Sequence, residues 1–480
     1  MKKLLLLFVL TVTVAQSQEM NSERFYAKMA VQDAEELSND FPNEVSILAK
    51  KGNEAAVYMS QLAAHKLHDR VLVHGPGYVY KASEAAVLQS LNKEPNTVRS
   101  VIDFTITEDA IVAEALGVIN TSRIEDHILE LEAYGTRHHS TTSGSQAAED
   151  LKVKWEALAA SFGRTDVSVR LFDHNNTNMP SVIMTIEGAD FPDEYVIVGG
   201  HLDSTSSQAQ TNAPGADDDA SGIATITESV RSLFEIGYVP QRTIEVMAYA
   251  AEEIGLVGSA EIAEDYSSNG VDVGAVVQFD MTNFNGSAND ISFVTDFTNA
   301  TLNNYLMSLL DHYNASGPHA VTYGTSVCNY GCSDHASWTA EGYMASFPFE
   351  ANFGDHNGAI HTPNDTFSVS GTADHATKFA KLCVEFLIEA SKSVILGLND
   401  VLASTVSVTT TRGILNYTLD KSNQDFNQVI LYDALGNKIF QEDVTSNQGI
   451  ISTTSLSQGL YILSFVTEGK GMVSKKVVVK

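Results

Sequence analysis

The chain has 480 residues, and its acidic side chains outnumber the basic ones by 60 to 29, which gives a formal net charge of −31 at pH 7. This charge argues against nucleic acid or an anionic membrane as a partner, since both bind basic surfaces. With 44% hydrophobic residues the chain can bury a large core, and its length predicts about three structural units.

Residues 1–17 have the pattern of a secretory signal peptide. A positive start, Met1-Lys2-Lys3, precedes an apolar run over 4–14, and the small residues of 15–17 follow. We therefore expect cleavage before Gln18 and export of the protein. The apolar run is too short to span a bilayer, and no later stretch is long and apolar enough to do so.

An oxidising destination favours a disulfide bond between Cys328 and Cys332, which are four residues apart. Because so small a loop gains little from chain entropy, we expect the bond to shape a turn. The alternative, a zinc site built on the two thiolates, lacks a second cysteine pair. Cys383 lies in an apolar helical pattern and is expected to be a buried free thiol.

Residues 18 to about 115 show mixed helical and strand patterns without any cluster of metal-binding side chains. Apolar runs at 71–73 and 78–80 predict two strands around a turn that contains Gly-Pro-Gly. His65 and His68 share a helix face, but no set of carboxylates accompanies them. We interpret them as surface residues.

The block from about 118 to 397 alternates predicted strands with predicted helices. The strands lie at 166–172, 181–187, 195–200, 243–249, 275–279, 291–295 and 345–349, and the helices at 147–162, 220–236, 302–313 and 376–392. This alternation predicts a three-layer α/β domain with a mainly parallel central sheet. From about 400, short strands rich in Ser, Thr and Val predict a small all-β domain, a kind of module that binds or docks.

The predicted strand 195–200 delivers His201 at its end, where open α/β sheets keep their active sites. Asp203 is two residues further on, so in extended chain both side chains point to one face. A carboxylate there can accept the second ring N–H of a metal-bound imidazole. A single histidine at a strand end is more often structural, but four further segments with acidic or histidine side chains follow this one.

Two of these segments carry adjacent acids. Asp217-Asp218-Asp219 stands among small residues before a predicted helix, either as an exposed acidic turn or as the source of a carboxylate that bridges two metal ions. Glu252 and Glu253 follow the strand 243–249. Neighbours in extended chain point to opposite sides, so one glutamate can bind metal while the other faces an attacking water.

The remaining two segments contain Asp280, at the end of another apolar strand, and His361, in a polar loop. Neither residue indicates a function by itself. Together with the other three segments they form a set of nitrogen and oxygen ligands, which suits zinc.

The order and spacing of the five segments resemble the bacterial di-zinc leucyl aminopeptidase family, a family of secreted zinc exopeptidases, over about 118–397. The resemblance implies two zinc ions per catalytic domain. It implies that Asp218 bridges them, that Glu253 and His361 complete one site, and that His201 and Asp280 complete the other.

The same resemblance assigns roles around the metals. It implies that Glu252 is the general acid/base, that Asp203 supports the ligands from behind, and that the Asp218–Asp219 peptide bond is cis. The family bonds the two cysteines of the segment matching 328–338. The resemblance also implies that residues 18–115 are a pro-segment that keeps the enzyme inactive as a zymogen.

Three aromatic residues, Tyr330, Phe349 and Phe353, match positions that line the family's pocket for the N-terminal side chain. The resemblance therefore implies a secreted aminopeptidase that prefers hydrophobic, leucine-like N-terminal residues. Peptides with a free N-terminus are the expected substrates, and we expect a monomer.

For the chemistry, we hypothesise that a hydroxide bridging the two zinc ions attacks the first peptide carbonyl. Three ligand carboxylates and this hydroxide would balance the four positive charges of the metals. Glu252 would take the proton of the water and pass it to the leaving amine.

The alternatives are another two-metal exopeptidase of the same fold, such as a carboxypeptidase, a related single-zinc glutaminyl cyclase, and a secreted binding protein without catalysis. The full ligand set together with Glu252 favours the aminopeptidase.

The end of the chain, about 400–480, resembles a second family, the sorting domains of type IX secretion. The runs Ser-Leu-Ser-Gln-Gly-Leu-Tyr-Ile-Leu and Lys-Lys-Val-Val-Val-Lys carry this likeness. It implies a β-sandwich-like domain that addresses the protein through the periplasm to the cell surface or the medium, with the secretion machinery as partner. A carbohydrate-binding module is the alternative.

Overall fold

The computed structural model describes residues 24–68, 75, 77–92, 102–392, 406–411, 413–419, 426–433, 438–467 and 471–479. The predicted signal peptide and the predicted strand 71–73 lie outside these ranges. The chain divides into two compact units, Met1–Ser391 and Lys392–Lys480, and each is described by itself. Across the described ranges, every helix is too short or too polar to cross a lipid bilayer.

The first unit begins with a small α/β cluster, which we call the N-terminal cluster. Its elements are β1 (Arg24–Ala30), α1 (Val31–Asp40), β2 (Val45–Lys51), β3 (Glu54–Ser60), α2 (Gln61–His68), β4 (Tyr78–Lys81) and α3 (Glu84–Ser90). The strands form one antiparallel sheet in the order β2-β3-β1-β4. Apolar side chains of β1 and β3 pack against α1 and α2, with Leu37 and Val57 fully buried between them.

The rest of the first unit is the central domain, in which strands and helices alternate as predicted. Its elements are α4 (Asp109–Gly117), α5 (Thr121–Glu132), α6 (Thr142–Ser161), β5 (Val167–Phe172), β6 (Ser181–Ile186), β7 (Phe191–His201), α7 (Ala220–Glu235), β8 (Arg242–Tyr249), α8 (Val257–Ser268), β9 (Asp272–Gln278), β10 (Ile291–Val294), α9 (Ala300–Tyr313), β11 (Tyr323–Ser326), α10 (His335–Ala340), β12 (Ala345–Ser346), β13 (Pro348–Phe349) and α11 (Asp374–Ser391). One-turn 3₁₀ helices lie at Glu252–Ile254, Gly317–His319, Phe353–Asp355 and Phe367–Val369.

The central sheet has six strands in the order β12-β9-β7-β8-β6-β5. The pairs β12/β9, β9/β7 and β7/β8 are parallel, whereas β8/β6 and β6/β5 are antiparallel. The predicted mainly parallel sheet is therefore confirmed, with an antiparallel edge. Because side chains alternate along a strand, Val196 and Val198 of β7 pack in one core while Ile197 packs in the other.

Those two cores make the three layers. The larger core holds apolar side chains of α5, α6, α7, α9 and α11 on one face of the sheet. The smaller holds side chains of α8 and α10, including Tyr266 and Trp338, on the opposite face. Strand β8 lies near the middle of the sheet, and all its residues are buried.

One predicted strand, 345–349, is wrong as a single element. Its first half is β12, at the edge of the central sheet, and its second half is β13, which pairs with β10 in a separate sheet ordered β11-β10-β13. Pro348 begins β13, and proline has no N–H group with which to continue the first ladder. Between the halves, Phe347 is fully buried.

The cysteine predictions are confirmed. Cys328 and Cys332 form a disulfide bond, and Cys383 is a buried free cysteine in α11.

The second unit is all-β, as predicted. Its strands are β14 (Val406–Thr411), β15 (Ile414–Leu419), β16 (Phe426–Asp433), β17 (Lys438–Asp443), β18 (Gln448–Ser452), β19 (Gly459–Thr467) and β20 (Gly471–Val479). They form two antiparallel sheets, β14-β15-β18 and β17-β16-β19-β20, that share one core containing Leu415, Leu431 and Phe465. The two predicted closing strands are β19 and β20, which pair with each other.

Candidate metal centre

The centre of the site is the carboxylate of Asp218, whose two oxygens face two different histidines. Its Oδ1 lies 2.9 Å from Nε2 of His201. Its Oδ2 lies 3.1 Å from Nε2 of His361. This arrangement is what a carboxylate that bridges two cations requires.

Each histidine has a second carboxylate beside it. Nε2 of His201 is 3.5 Å from Oδ1 of Asp280, and Nε2 of His361 is 3.1 Å from Oε2 of Glu253. The structure therefore brings together two triplets of possible ligands, with all donor atoms of a triplet within 4.8 Å of one another and Asp218 in both. All five residues were candidate ligands in the sequence.

His201 ends β7, at the carboxyl edge of the central sheet, and it is fully buried. Its Nδ1 lies 3.0 Å from the main-chain oxygen of Asp203 and 3.6 Å from that residue's carboxylate. The predicted contact between these two residues is present, but the main-chain oxygen is the nearer partner of the ring.

The adjacent acids Asp217, Asp218 and Asp219 face three different surroundings, and the peptide bond after Asp218 is cis, as the resemblance implies. Asp219 caps α7, because its Oδ1 accepts the N–H of Gly222 at 2.8 Å and its Oδ2 accepts the N–H of His201 at 2.9 Å. Only the middle acid of the three belongs to the two ligand triplets.

Asp217 belongs to a buried acidic cluster behind the triplets, with Glu350 and Asp365 around Asn357. The amide of Asn357 donates to Asp217 at 3.0 Å and to Asp365 at 3.2 Å, and its N–H donates to Glu350 at 3.0 Å. Asp365 also accepts the N–H groups of Asp217 and Asp218, so the cluster fixes the backbone that presents the bridging carboxylate. Burial raises the pKa of Asp217 to about 6.

Glu350 and Asn357 were missed in the sequence, because no motif marks a single acid after a short strand or an amide in a loop. Their role depends on contacts with Asp217, which is 140 residues from Asn357 along the chain.

The local structure of Glu252 and Glu253 differs from the prediction. Strand β8 ends at Tyr249, and the two glutamates lie on a 3₁₀ turn that follows Ala251, a residue with φ of 56°. The turn is fixed by Asp203, whose carboxylate accepts the N–H of Glu252 at 3.0 Å and that of Glu253 at 3.3 Å. Both glutamate side chains are buried. The turn, and not strand alternation, sets where they point.

The electrostatics of the site suit a cation. Burial lowers the pKa of His201 and His361, but the neighbouring carboxylates outweigh burial and hold both pKa values well above their usual range. The fully buried imidazole of His201 and the 22% exposed imidazole of His361, surrounded by Asp218, Glu253 and Asp280, therefore favour positive charge. Metal binding supplies that charge while the histidines are neutral, and imidazole with carboxylate is a zinc donor set, so these residues fit zinc.

An apolar cluster adjoins the triplets. It contains Tyr330, Phe349 and Phe353, together with Met281, which follows Asp280, and Ile360, which precedes His361. The ring centres of Tyr330 and Phe353 are 6.1 Å apart, and those of Phe349 and Phe353 are 5.2 Å apart. The structure thus places the three predicted aromatic residues in one cluster, attached to two of the candidate ligands through the chain.

Comparison with known protein families gives two matches. The family described as peptidase family M28 matches residues 181–387, which contain all the candidate ligands. The family described as the secretion system C-terminal sorting domain matches residues 410–480.

Individual relatives agree with the first match. Leucine aminopeptidase 1 of Ajellomyces capsulatus is 32% identical over 292 residues, which cover 58% of this chain and 74% of that protein. A probable leucine aminopeptidase of Arthroderma benhamiae is 31% identical over 68% of this chain and 88% of its own length. The crystal structure of the LapA aminopeptidase of Legionella pneumophila superposes with a TM-score of 0.67 and 31% identity over 78% of this chain and 99% of that chain.

The shared position of Asp218 gives a prediction about metal content. We expect Asp218→Asn to reduce binding at both triplets and Asp280→Asn to reduce it at one, since only Asp218 belongs to both. Metal per chain, measured after loading with zinc and gel filtration, should fall further in the first variant. Exposed Asp190 provides the control Asp190→Asn, which should match the unmodified protein. Equal metal content in D218N and the control would contradict the bridging role.

Proposed function

The chain belongs to peptidase family M28 and is a metallo-aminopeptidase, and on that premise we propose that it uses two zinc ions, with Asp218 as the bridging ligand, to remove N-terminal residues from peptides. The observation that carries this proposal is the division of the Asp218 oxygens between His201 and His361, at 2.9 and 3.1 Å. Glu253 would complete the metal site of His361, and Asp280 that of His201.

Zinc bound in these triplets would polarise the scissile carbonyl and acidify water. We propose that Glu252 is the general acid/base, which accepts a proton from the attacking water and returns it to the leaving amine nitrogen. Two observations support this role. Glu252 is fully buried next to the ligand Glu253, and Asp203 holds its main-chain N–H at 3.0 Å. The negative charge of Glu252 also contributes to the raised pKa of Tyr330 in the apolar cluster, after the larger effect of burial.

The two adjacent glutamates form a matched pair for testing these roles. We expect Glu252→Gln to keep its zinc but to lose about 10²–10⁴-fold in kcat, because the amide cannot accept the proton. Glu253→Gln should lose zinc, because it replaces a charged carboxylate ligand with a neutral amide. The measurements are zinc content and turnover of Leu-p-nitroanilide, with N-acetyl-Leu-p-nitroanilide as the substrate that an aminopeptidase does not cleave. Near-normal turnover in zinc-loaded E252Q would exclude Glu252 as the acid/base.

We propose that the apolar cluster is the pocket for the N-terminal side chain, which gives a preference for leucine-like residues. Phe349 is fully buried and Phe353 is 5% exposed, so Phe353 is the more accessible of the two phenylalanine walls of the cluster. Apolar side chains gain free energy when such a surface removes them from water.

Truncation of that wall should change specificity more than general activity. We expect Phe353→Ala to lower kcat/KM for Leu-p-nitroanilide by about tenfold, because a leucine side chain loses its contact surface. The kcat/KM for Ala-p-nitroanilide should change less, because the methyl side chain of alanine contacts little of the pocket. If both substrates lose activity to the same extent, the cluster does not select the side chain.

We propose that residues 18–115 contain a removable pro-segment that holds the enzyme in a latent state. Strand β4 of the N-terminal cluster supports this, since it lies against the turn that carries Glu252. The hydroxyl of Tyr78 donates to the main-chain oxygen of Ile254 at 3.0 Å, and the N–H of Tyr80 donates to that of Gly255 at 3.0 Å. The ring of Tyr78 also packs closely on Gly255, which has φ of 117°. A Cβ on Gly255 would lie only 2.3 Å from that ring, so the contact requires glycine.

Two further contacts attach the N-terminal cluster to the central domain. Lys81 pairs with Glu341 at 3.3 Å, and both side chains are buried. Gly75 packs closely against the main chain of Cys332, a member of the disulfide next to the proposed pocket. A Cβ on Gly75 would lie only 2.4 Å from the main-chain oxygen of Cys332. By contrast, Ile102 and α4 pack in the large core of the central domain, which favours an end of the pro-segment before residue 102.

The buried ion pair gives a test of latency. We expect Lys81→Met to raise the activity of the uncleaved protein on Leu-p-nitroanilide by about tenfold or more, since breaking a buried pair costs about 3–5 kcal/mol of docking energy. Lys28→Met is the matched control, because Lys28 pairs with Glu54 inside the N-terminal cluster at 2.8 Å. If uncleaved K81M is no more active than K28M, the docked strand does not restrain the enzyme.

The C-terminal sorting domain supports secretion or a cell-surface location for the enzyme. We propose that the route is type IX secretion through the periplasm, with the all-β unit as the part that the secretion machinery binds.

A further inference from the structure

Arg137 is a fully buried arginine whose side chain, within the part of the chain that the structure describes, donates to main-chain carbonyl oxygens alone. Its Nε donates to Leu202 at 2.9 Å, and its Nη1 donates to Leu131 at 3.0 Å and to Pro214 at 2.7 Å. Its Nη2 donates to Gly215 at 2.8 Å. Arginine suits this position because its planar guanidinium holds several donors in a rigid arrangement.

Three of the four carbonyls that Arg137 binds lie on the two segments that carry the candidate ligands of the β7 edge, and the fourth, that of Leu131, lies in α5. Leu202 stands between His201 and Asp203. Pro214 and Gly215 lead into the acidic triplet that contains Asp218. One side chain thus joins the chain before the bridging carboxylate to the chain after the first histidine.

Ser204 adds two hydrogen bonds to the same connection. Its hydroxyl accepts the N–H of Arg137 at 3.0 Å and donates to the main-chain oxygen of Ala213 at 2.7 Å. Gly215 has φ of 54°, and a Cβ there would lie 2.5 Å from the main-chain oxygen of Asp218 and 3.0 Å from Nη2 of Arg137. The loop 202–215 is therefore tied at both ends, with no room for a side chain at Gly215.

The charge of Arg137 also acts on the site. Burial lowers the pKa of Arg137, while the carboxylates of Asp219, Asp365, Asp203 and Asp218 act in the opposite direction. The other buried arginines differ in their partners. Arg231 binds Glu228 at 2.7 Å, and Arg242 binds Glu194 at 2.6 Å.

We infer that Arg137, with Ser204, is a positioning residue that holds His201 and Asp218 at the separation that zinc binding requires. This inference rests on the proposed two-zinc function. The positioning role explains why an arginine is buried at residue 137 although no carboxylate among the described residues pairs with its guanidinium directly. Residues that support metal ligands from behind commonly change metal affinity by about 10–100-fold when they are replaced.

Arg137→Lys tests this inference, because lysine keeps the charge but presents three donors from one compact ammonium group and cannot reproduce the fork. We expect zinc to dissociate from R137K about tenfold faster than from the unmodified protein. With saturating zinc, kcat should fall more than KM rises. The visible spectrum of the cobalt-substituted enzyme should also shift, because it reports ligand geometry.

Arg242→Lys is the matched control. Arg242 is equally a buried arginine, but it begins β8, whose other end leads to the site. We expect R242K to lower the melting temperature without changing zinc dissociation or the cobalt spectrum. If R137K matches R242K in both metal measurements, Arg137 is a structural residue only and the inference is overturned.

Ser204→Ala provides a milder variant in case R137K does not fold. It removes the hydroxyl that joins Arg137 to Ala213 and should accelerate zinc dissociation in the same direction by a smaller factor. An unchanged rate in folded S204A would overturn the inference. Failure of the proposed function is distinguishable, because the unmodified protein itself would then bind no zinc.

Discussion

The structure depends on a concentration of buried negative charge at the carboxyl edge of the parallel strands. Asp218 is the centre of this charge, since its two oxygens face His201 and His361, with Glu253 and Asp280 beside them. Carboxylates in this number repel one another in a medium of low dielectric constant, so the arrangement needs positive charge nearby. Metal ions supply most of that charge in our proposal.

The acids outside the two candidate triplets hold the backbone that presents the candidate ligands. Asp203 accepts two N–H groups of the turn at Glu252–Ile254, and Asp219 accepts those of Gly222 and His201. Asp365 accepts the N–H groups ahead of the bridging carboxylate. Hydrogen bonds from main-chain N–H groups to buried carboxylates are short-range and strong, so these acids fix the segments of the site whose N–H groups they accept. The geometry of the candidate ligands is thus set mainly by other acids. The hydrogen bonds of Arg137 connect two of these segments to each other.

The N-terminal cluster contacts the candidate metal centre. Strand β4 contacts the 3₁₀ turn of Glu252 through Tyr78 and Tyr80, and the buried pair of Lys81 with Glu341 anchors it to the central domain. The same turn is also held by Asp203, which accepts the N–H groups of Glu252 and Glu253. In our proposal, the position of Glu252 therefore connects catalysis with release of the pro-segment.

The sequence by itself determined the alternation of strands and helices, the mainly parallel sheet, the cysteine states and the five segments that supply candidate ligands. These features follow from local periodicity and from residue type, which are readable in a single chain. Spacing and residue type could not choose among the three adjacent acids, and only the family resemblance implied Asp218. Tertiary structure gives the reason that Asp218 faces the histidines, because Asp217 and Asp219 are engaged by Asn357 and His201 from other segments. It also placed Glu252 and Glu253 on a turn and split the predicted strand 345–349 between two sheets. Such outcomes depend on hydrogen bonds between residues far apart along the chain, and local pattern contains no record of them.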